Sequence, residues 1–411
     1  MTGKHRFAAA LLGAILVSAP CLHGQQSPPE PPLTFEEAVA IALSASPGLA
    51  AARLGREEAQ ARRDVARQRP NPELSIEEQD PELPRDAATL ALPIETGGKR
   101  RRRIAFAEAQ ARSGEAELAR LTAETRNQVR RAYFGLAAAQ RRAAGAAELQ
   151  RLTERARDAA RARFEAGDVP RLDALQADLA AAQAAGETDK ARGALAGARA
   201  GLNALLLRPL DQPLAVSDSL DSGRVPPLDE AVRVALDAST ELSALDLGIA
   251  EQQAQVELAR AEAVPDVTVA GTVTHESPPE FDWGTRAAVT VELPIFTRGR
   301  AQVRLEEATL ARLKAEREAA AARVRGEVYA AAANVEVQRQ ALLRFRDTIL
   351  PQAAEVERMA EDSYRSGQTD LAALLQSLQS MHDLRLQAVQ AETDYQTALA
   401  DLEQAIGAPL P

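Results

Sequence analysis

Apolar residues recur every three or four positions along most of the chain, as in Leu149, Leu152, Ala156 and Ala160, and this spacing predicts helix. The two longest such runs extend from about Lys99 to Ala166 and from about Arg300 to Ser366; no proline interrupts the first, and Pro351 is expected to bend the second. At 1.5 Å per residue, nearly 70 residues reach roughly 100 Å, more than a globular domain accommodates. Gly167 and Gly367 end the runs and predict turns into second long helices, about Pro170 to Leu207 and Thr369 to Ile406, the latter with a stripe of Leu371, Leu374, Leu378 and Met381. The period switches to two in four short stretches, about 73–79, 87–94, 266–276 and 285–295. In the third, Val267, Val269 and Val273 alternate with Thr268, Ala270, Thr272 and Thr274, which gives a strand one apolar and one polar face.

These elements occur twice in the same order. At an offset of 195, Leu33 falls on Leu228 and Pro70 on Pro265; Leu92-Pro93-Ile94 matches Leu293-Pro294-Ile295 at 201, and Phe164 to Gly167 matches Tyr364 to Gly367 at 200. Each copy predicts a short helix (near Phe35 to Ser44, and Asp229 to Ala238), a medium helix closed by Pro70 or Pro265, a strand pair, and a long helical hairpin. The domains are then a leader at 1–24, a first repeat at 25–213 with its helical hairpin at about 99–207, a linker at 214–227, and a second repeat at 228–411 with its hairpin at about 300–406. The fold class is mostly α with a small β part, built from a duplicated helix, β-hairpin and long helical hairpin unit.

Composition sharpens this reading. Only 3% of the 411 residues are aromatic, and the small apolar side chains suit closely packed helices. A formal charge of −10 argues against nucleic acid as a partner. The first 24 residues pair a basic start (Lys4, Arg6) with an apolar run from Phe7 to Val17, the pattern of an export signal. Cleavage after Gly24 removes the single cysteine, Cys21, and with it disulfides and thiolate metal sites. Acylation of Cys21 would need a small residue where Pro20 stands. No later stretch of 18 apolar residues predicts a transmembrane helix. Of four histidines, two fall in the leader and the others, His275 and His382, are far apart; no HExxH, GxSxG or phosphate-cradling loop occurs. No enzyme, cofactor or resident metal site is expected.

Four strands cannot close a barrel in lipid, where at least eight are needed, but three chains supply twelve. A soluble hairpin covered by helices would show the same alternation. With the duplicated order, the long helices and the export signal, the chain resembles the TolC-like outer-membrane factors of tripartite efflux systems over nearly its whole mature length. The segment Glu95-Thr96-Gly97-Gly98-Lys99-Arg100, followed by Arg103, is similar to the heavy-metal branch of CzcC and CusC type. The resemblance implies a homotrimer with a twelve-stranded barrel in the outer membrane and a twelve-helix periplasmic tunnel, working with a periplasmic adaptor and an inner-membrane RND-type pump. The implied function is a passive exit duct for heavy-metal cations or drugs. A periplasmic coiled-coil adaptor or structural tether is the alternative, although adaptors usually carry one hairpin and more strands.

Several residues are candidates for that function. Lys99, Arg100, Arg101, Arg102 and Arg103 put five cations at a helix start, against the macrodipole, and need compensation from anionic headgroups or acids unless the turn is merely solvated. Phe281 and Trp283 are candidates for an interfacial aromatic anchor in contact with outer-membrane lipid, or for a loop cluster packed on itself. The resemblance implies that the two turns form the periplasmic tip that meets the adaptor, through Gly167, Val169 and Leu172 in one copy and Gly367, Thr369 and Leu371 in the other. It also implies an acidic constriction; Asp173 occupies the family position in copy one, whereas copy two has Ala373 there and Asp370 three residues earlier. An aspartate at a helix start is equally a normal cap.

Overall fold

Each copy begins with an 11-residue helix. In a computed structural model, which describes residues 31–77, 85–221, 223, 225–276 and 283–410, α1 (Phe35–Ala45) opens on a capping box between Thr34 and Glu37. Ser46 ends α1 and caps α2 (Pro47–Arg67) through Leu49 N at 3.3 Å. After the strands β1 (Glu73–Glu77) and β2 (Arg85–Ile94) comes the 67-residue α3 (Lys99–Glu165), and then α4 (Arg171–Leu205). Copy two repeats the order with α5 (Leu228–Ala238), α6 (Thr240–Glu262), β3 (Val267–Glu276), β4 (Trp283–Val291), α7 (Arg300–Arg344), α8 (Leu350–Arg365) and α9 (Leu371–Ile406). Ser239 reproduces the role of Ser46 by capping Leu242 N. The leader at 1–24, Cys21 and Phe281 lie outside the described residues.

Three details differ from the sequence expectation. The first helices align Phe35 with Leu228, not Leu33 with Leu228; α6, at 23 residues against 21 for α2, recovers the two-residue difference before Pro265. β4 ends at Val291 and not near 295, and beyond it Ile295 N turns back to Leu293 O at 2.8 Å. Pro351 leaves Asp347 without its helical donor, and the chain accommodates this with one π-helical turn, Phe345–Ile349, before continuing as α8.

The four strands form one antiparallel sheet in the order β1-β2-β3-β4, so β2 and β3 join the two copies. The helices pack in pairs: α3 lies against α4 and also against α6 and α9 of the second copy, while α7 lies against α6 and α9. Alanine dominates these seams; Ala138, Ala160, Ala177, Ala398 and Ala400 are all buried, which lets long helices run close together. The few aromatic residues concentrate where α1 meets α3. Phe35, Tyr133 and Phe134 form a mutual trio with ring centroids 5.2 to 5.8 Å apart. Tyr133 also ties the linker down: its hydroxyl lies 2.7 Å from both Leu33 O and Asp218 Oδ2 and accepts from Asp218 N at 3.2 Å. Burial pushes this phenol up to about 12, so it stays a donor at any physiological pH.

One charged cluster lies inside this packing. Arg126 donates to Glu403 at 2.8 Å and to Glu36 at 2.9 Å, while Arg130 Nε approaches the other Glu403 oxygen at 3.0 Å without hydrogen-bond alignment. The Arg130 guanidinium also lies 5.0 Å from the Phe35 ring centre. Glu403 thus neutralises two guanidinium groups at the contact between α3 and α9. Glu403→Gln should leave buried charge uncompensated and cost about 3 kcal/mol, read as a lower thermal unfolding midpoint. A change within error would show that Glu36 alone suffices.

A second prediction concerns His382, buried on α9. Burial, the largest cause, lowers its pKa below 6.5, with smaller effects from Asp383, Arg385 and Glu187. Because the unfolded chain takes the proton first, stability is intact above pH 6.5 and falls as pH drops through that value. The loss between pH 7.5 and 5.5 should shrink in His382→Gln; an unchanged loss would assign it to other groups.

Candidate functional site

Strand register gives the sheet two unlike faces. Leu74 lies opposite Leu90, Leu92 opposite Val269, and Val269 opposite Val289, so these side chains share one face with Ile76, Val273 and Val291. The opposite face carries Glu73, Ser75, Glu77, Thr268, Thr274 and Thr290, and the hydroxyls of Thr89 and Thr272 hydrogen-bond across it at 2.9 Å. Among the described residues no helix covers the apolar face. Ile76 is 76% exposed, Val289 68% and Trp283 73%, which overturns the soluble-hairpin alternative, since a helix-covered sheet would bury these residues. β1 and β4 each have one edge without a partner strand among the described residues. Trp283 stacks on His275 at 4.6 Å at the end of the sheet far from the long helices.

The cationic run sits where the sheet meets the helices, and most of it is engaged. Lys99 Nζ reaches Asp266 Oδ2 at 2.8 Å, and the Thr96 amide donates to the other Asp266 oxygen at 2.9 Å. Burial tends to raise the Asp266 pKa, but Lys99 and the Thr96 amide outweigh it and hold the carboxylate below its ordinary range. Arg102 pairs with Glu257 at 3.1 Å. Arg100 donates to Arg67 O at 2.8 Å, and Arg103 donates to Ala66 O at 3.1 Å and Gln68 O at 2.9 Å while gripping Glu95. Two arginines therefore satisfy carbonyls at the end of α2, which favours cations, and offset their position at the start of α3. Arg101 stays exposed. Sequence reasoning missed Asp266 and Glu257; the acid directly after the repeated Pro265 was the available signal.

Backbone conformation explains the glycines at this junction. Gly97 and Gly98 have φ of 62° and 74°, and a Cβ on Gly97 would lie 2.9 Å from the Val264 Cβ. In copy two, Gly299 has φ of 67° and faces Ala263 just as closely, at 2.6 Å.

At the other end of the long helices the two turns have the same geometry. Gly167 N donates to Phe164 O at 3.0 Å and Asp168 N to Arg163 O at 2.9 Å; Gly367 N donates to Tyr364 O at 3.1 Å and Gln368 N to Ser363 O at 2.8 Å. Both are Schellman motifs with a left-handed glycine, φ 84° and 72°. Their surfaces differ. Leu172 is 60% exposed and Val169 half-buried, and Thr369 is exposed, whereas Leu371 is only 2% exposed in a cluster with Tyr364 and Leu374. The expected surface role of Leu371 is therefore corrected: α9 turns it inward. Asp370 caps α9 through Ala373 N at 2.9 Å, while Asp173 lies half-buried in the first turn of α4.

Comparison with known proteins agrees with this architecture. The family model for outer membrane efflux proteins matches residues 38–206 and 231–408, one block in each copy, and the chain belongs to that family. It is 27% identical over 357 residues to the cobalt-zinc-cadmium resistance protein CzcC of Cupriavidus metallidurans, covering 86% of this chain and 85% of that protein. Among solved structures, CusC superposes with a TM-score of 0.76 at 16% identity, covering 91% of this chain and 92% of that one. The open-state MtrE outer membrane channel of Neisseria gonorrhoeae gives 0.73 at 18% identity, with 91% and 89% covered. The fold is that of outer-membrane channels, and the protein is a transport channel, not an enzyme.

The glycine geometry yields a paired prediction. Nothing lies within 4 Å of a Cβ on Gly167, so Gly167→Ala meets only its left-handed backbone and should cost about 1 kcal/mol. Gly97→Ala adds a clash with Val264 and should cost clearly more, about 2 to 3 kcal/mol. Thermal midpoints of the two variants check the order; equal losses would remove the close contact as the cause.

Proposed function

We propose that this outer membrane efflux protein is the exit duct of a tripartite system, in which three copies close a twelve-stranded barrel continued by a twelve-helix periplasmic tunnel. The uncovered apolar sheet face, joined to a polar face and two open edges, carries this reading, because lipid accepts that face only when every backbone group is paired in a closed barrel. The polar face then lines a water-filled wall. The duct is passive; energy and cargo selection belong to an inner-membrane RND-type pump coupled through a periplasmic adaptor. The leader at 1–24 delivers the chain to the periplasm, and the repeats at 25–213 and 228–411, joined by 214–227, each supply one sixth of the barrel and of the tunnel: two strands and one helical hairpin.

Function is assigned to the named residues accordingly. Gly167, Val169, Leu172, Gly367 and Thr369 present the adaptor-facing tip, and Asp173 and Asp370 contribute acid near it. Arg101 is the member of the junction run placed to meet lipid headgroups, while Lys99, Arg100, Arg102 and Arg103 hold the junction together. Trp283 anchors the apolar face at the outer interface. Heavy-metal cations are the proposed cargo, supported by the likeness to a cobalt-zinc-cadmium resistance protein and by the Glu95 to Arg100 segment.

Deleting the gene should sensitise its host to cobalt, zinc or cadmium more than to hydrophobic drugs, measured as growth inhibition and reversed by the wild-type chain. Drug sensitivity with unchanged metal tolerance would reject the cargo and leave the duct. A water-soluble monomer recovered from the periplasm would reject the duct.

A further inference from the structure

The chain has a formal charge of −10, yet three segments that meet between the sheet and the helices contain no acid. Residues 65–72 lead out of α2, 96–107 lead into α3, and 293–305 lead from β4 into α7; together they hold ten Lys and Arg residues and no Asp or Glu. Half of these cations are engaged. Lys99, Arg102 and Arg103 pair with acids from outside the segments, Arg67 pairs with Asp64, and Arg100 donates to a carbonyl. Arg69, Arg101, Arg298, Arg300 and Arg304 are exposed, with neither ion pair nor hydrogen bond among the described residues. The second copy lacks the acids that neutralise the first. With the helix-start glycines Gly98 and Gly299 aligned at an offset of 201, and Pro70 and Pro265 at 195, Arg304 corresponds to Arg103 but Phe296 to Glu95, and Arg300 corresponds to Lys99 but Asn71 to Asp266.

Exposed apolar side chains lie at the same level. Ile94, Val267 and Val291 form the last row of the ladder on the apolar face. Beyond that row Leu293 is 70% exposed, Ile295 64% and Phe296 97%. β4 runs for nine residues from Trp283 to Val291, roughly 27 Å, and a strand tilt of about 40° leaves about 20 Å of height. The lipid-facing band of a membrane barrel is about 25 Å tall. The three side chains beyond the ladder extend the apolar face toward that height, and the unpaired arginines stand at its border.

We infer that this border selects anionic phospholipid in the periplasmic leaflet, with Arg69, Arg101, Arg298, Arg300 and Arg304 at the headgroup phosphates and Ile295 and Phe296 among the acyl chains. This rests on the reading that the chain forms a membrane barrel, and it adds a preference among lipids to that reading. Two features favour a lipid as the occupant. Guanidinium groups match phosphate oxygens through paired N–H donors, and apolar side chains adjoin them, so a molecule with a phosphate on an acyl tail is satisfied at both ends. Charge then discriminates between headgroups. A zwitterionic headgroup brings its own ammonium beside the phosphate, whereas phosphatidylglycerol brings net negative charge to a border without acids of its own.

The test uses the full chain extracted from outer membranes in detergent and exposed to equal amounts of phosphatidylglycerol and phosphatidylethanolamine, with retained lipids counted by native mass spectrometry. Wild-type trimers should retain phosphatidylglycerol about fivefold over phosphatidylethanolamine, the preference that one cation per retained lipid gives. The ratio should fall toward one in 1 M salt, where screening acts within about 3 Å. Arg298→Gln, Arg300→Gln and Arg304→Gln together should remove most of the preference and leave the trimer intact. Lys314→Gln, Arg325→Gln and Arg344→Gln together make the same change of charge farther along α7, at exposed cations, and should leave the preference unchanged. Equal retention of the two lipids by the wild type, or an unchanged preference in the first triple variant, would overturn the proposal and leave the barrel standing. Loss of the trimer in that variant would give these arginines to assembly, and displacement of the retained lipid by inorganic phosphate would give them to a free anion; either result also overturns it. A wild-type chain with neither trimer nor retained lipid would overturn the barrel reading itself.

Discussion

A sheet with two unpaired edges and an exposed apolar face satisfies neither water nor hydrocarbon by itself. Water rejects the face that includes Ile76, Val289 and Trp283, and lipid rejects the free N–H and C=O groups along β1 and β4. Both conflicts end when copies of the chain pair edge to edge into a barrel. Much else in the molecule serves this requirement. The junction of Lys99, Asp266, Thr96 and Arg103 fixes the sheet on the helices, so that strands from both copies stand side by side with one register.

The helical part solves a different problem, that of reaching far with little bulk. α3 runs unbroken for 67 residues, roughly 100 Å. Alanine at the contacts lets α3 meet α4, α6 and α9 closely, and the scarce aromatic side chains are spent where α1, the linker and α3 must be locked together around Tyr133. Copy two departs from copy one by a π-helical turn ahead of Pro351, so the two hairpins are alike in order but not in helix continuity. The charged cluster of Arg126, Arg130 and Glu403 joins the two copies at a level between the sheet and the tips.

Much of the fold was legible because the periodicities were long and repeated. The 3.6-residue spacing over Lys99–Glu165, the alternation in Val267–Glu276 and the paired glycines at 167 and 367 each encode one local geometry. Element ends were less legible, since they depend on which backbone group finds a partner: Ile295 N turns back to Leu293 O beyond the end of β4, and a two-residue difference between α2 and α6 shifts the alignment of the first helices. The site divided in the same way. The run at Lys99 to Arg103 was visible as charge, but apart from Glu95 its partners are carbonyls and acids more than 30 or 150 residues away, which no local pattern announces. Leu371 and Leu172 both follow a tip glycine, but by four and five residues, so they point one helical step apart: Leu371 joins the buried stripe of Leu374 and Leu378, and Leu172 the exposed stripe of Leu175 and Leu179.

The most direct test of the central claim is electron microscopy of detergent-extracted particles. The account predicts threefold-symmetric particles with a detergent-belted barrel and a hollow helical stalk roughly 100 Å long. Single elongated chains without a belt, or particles of another symmetry, would contradict it.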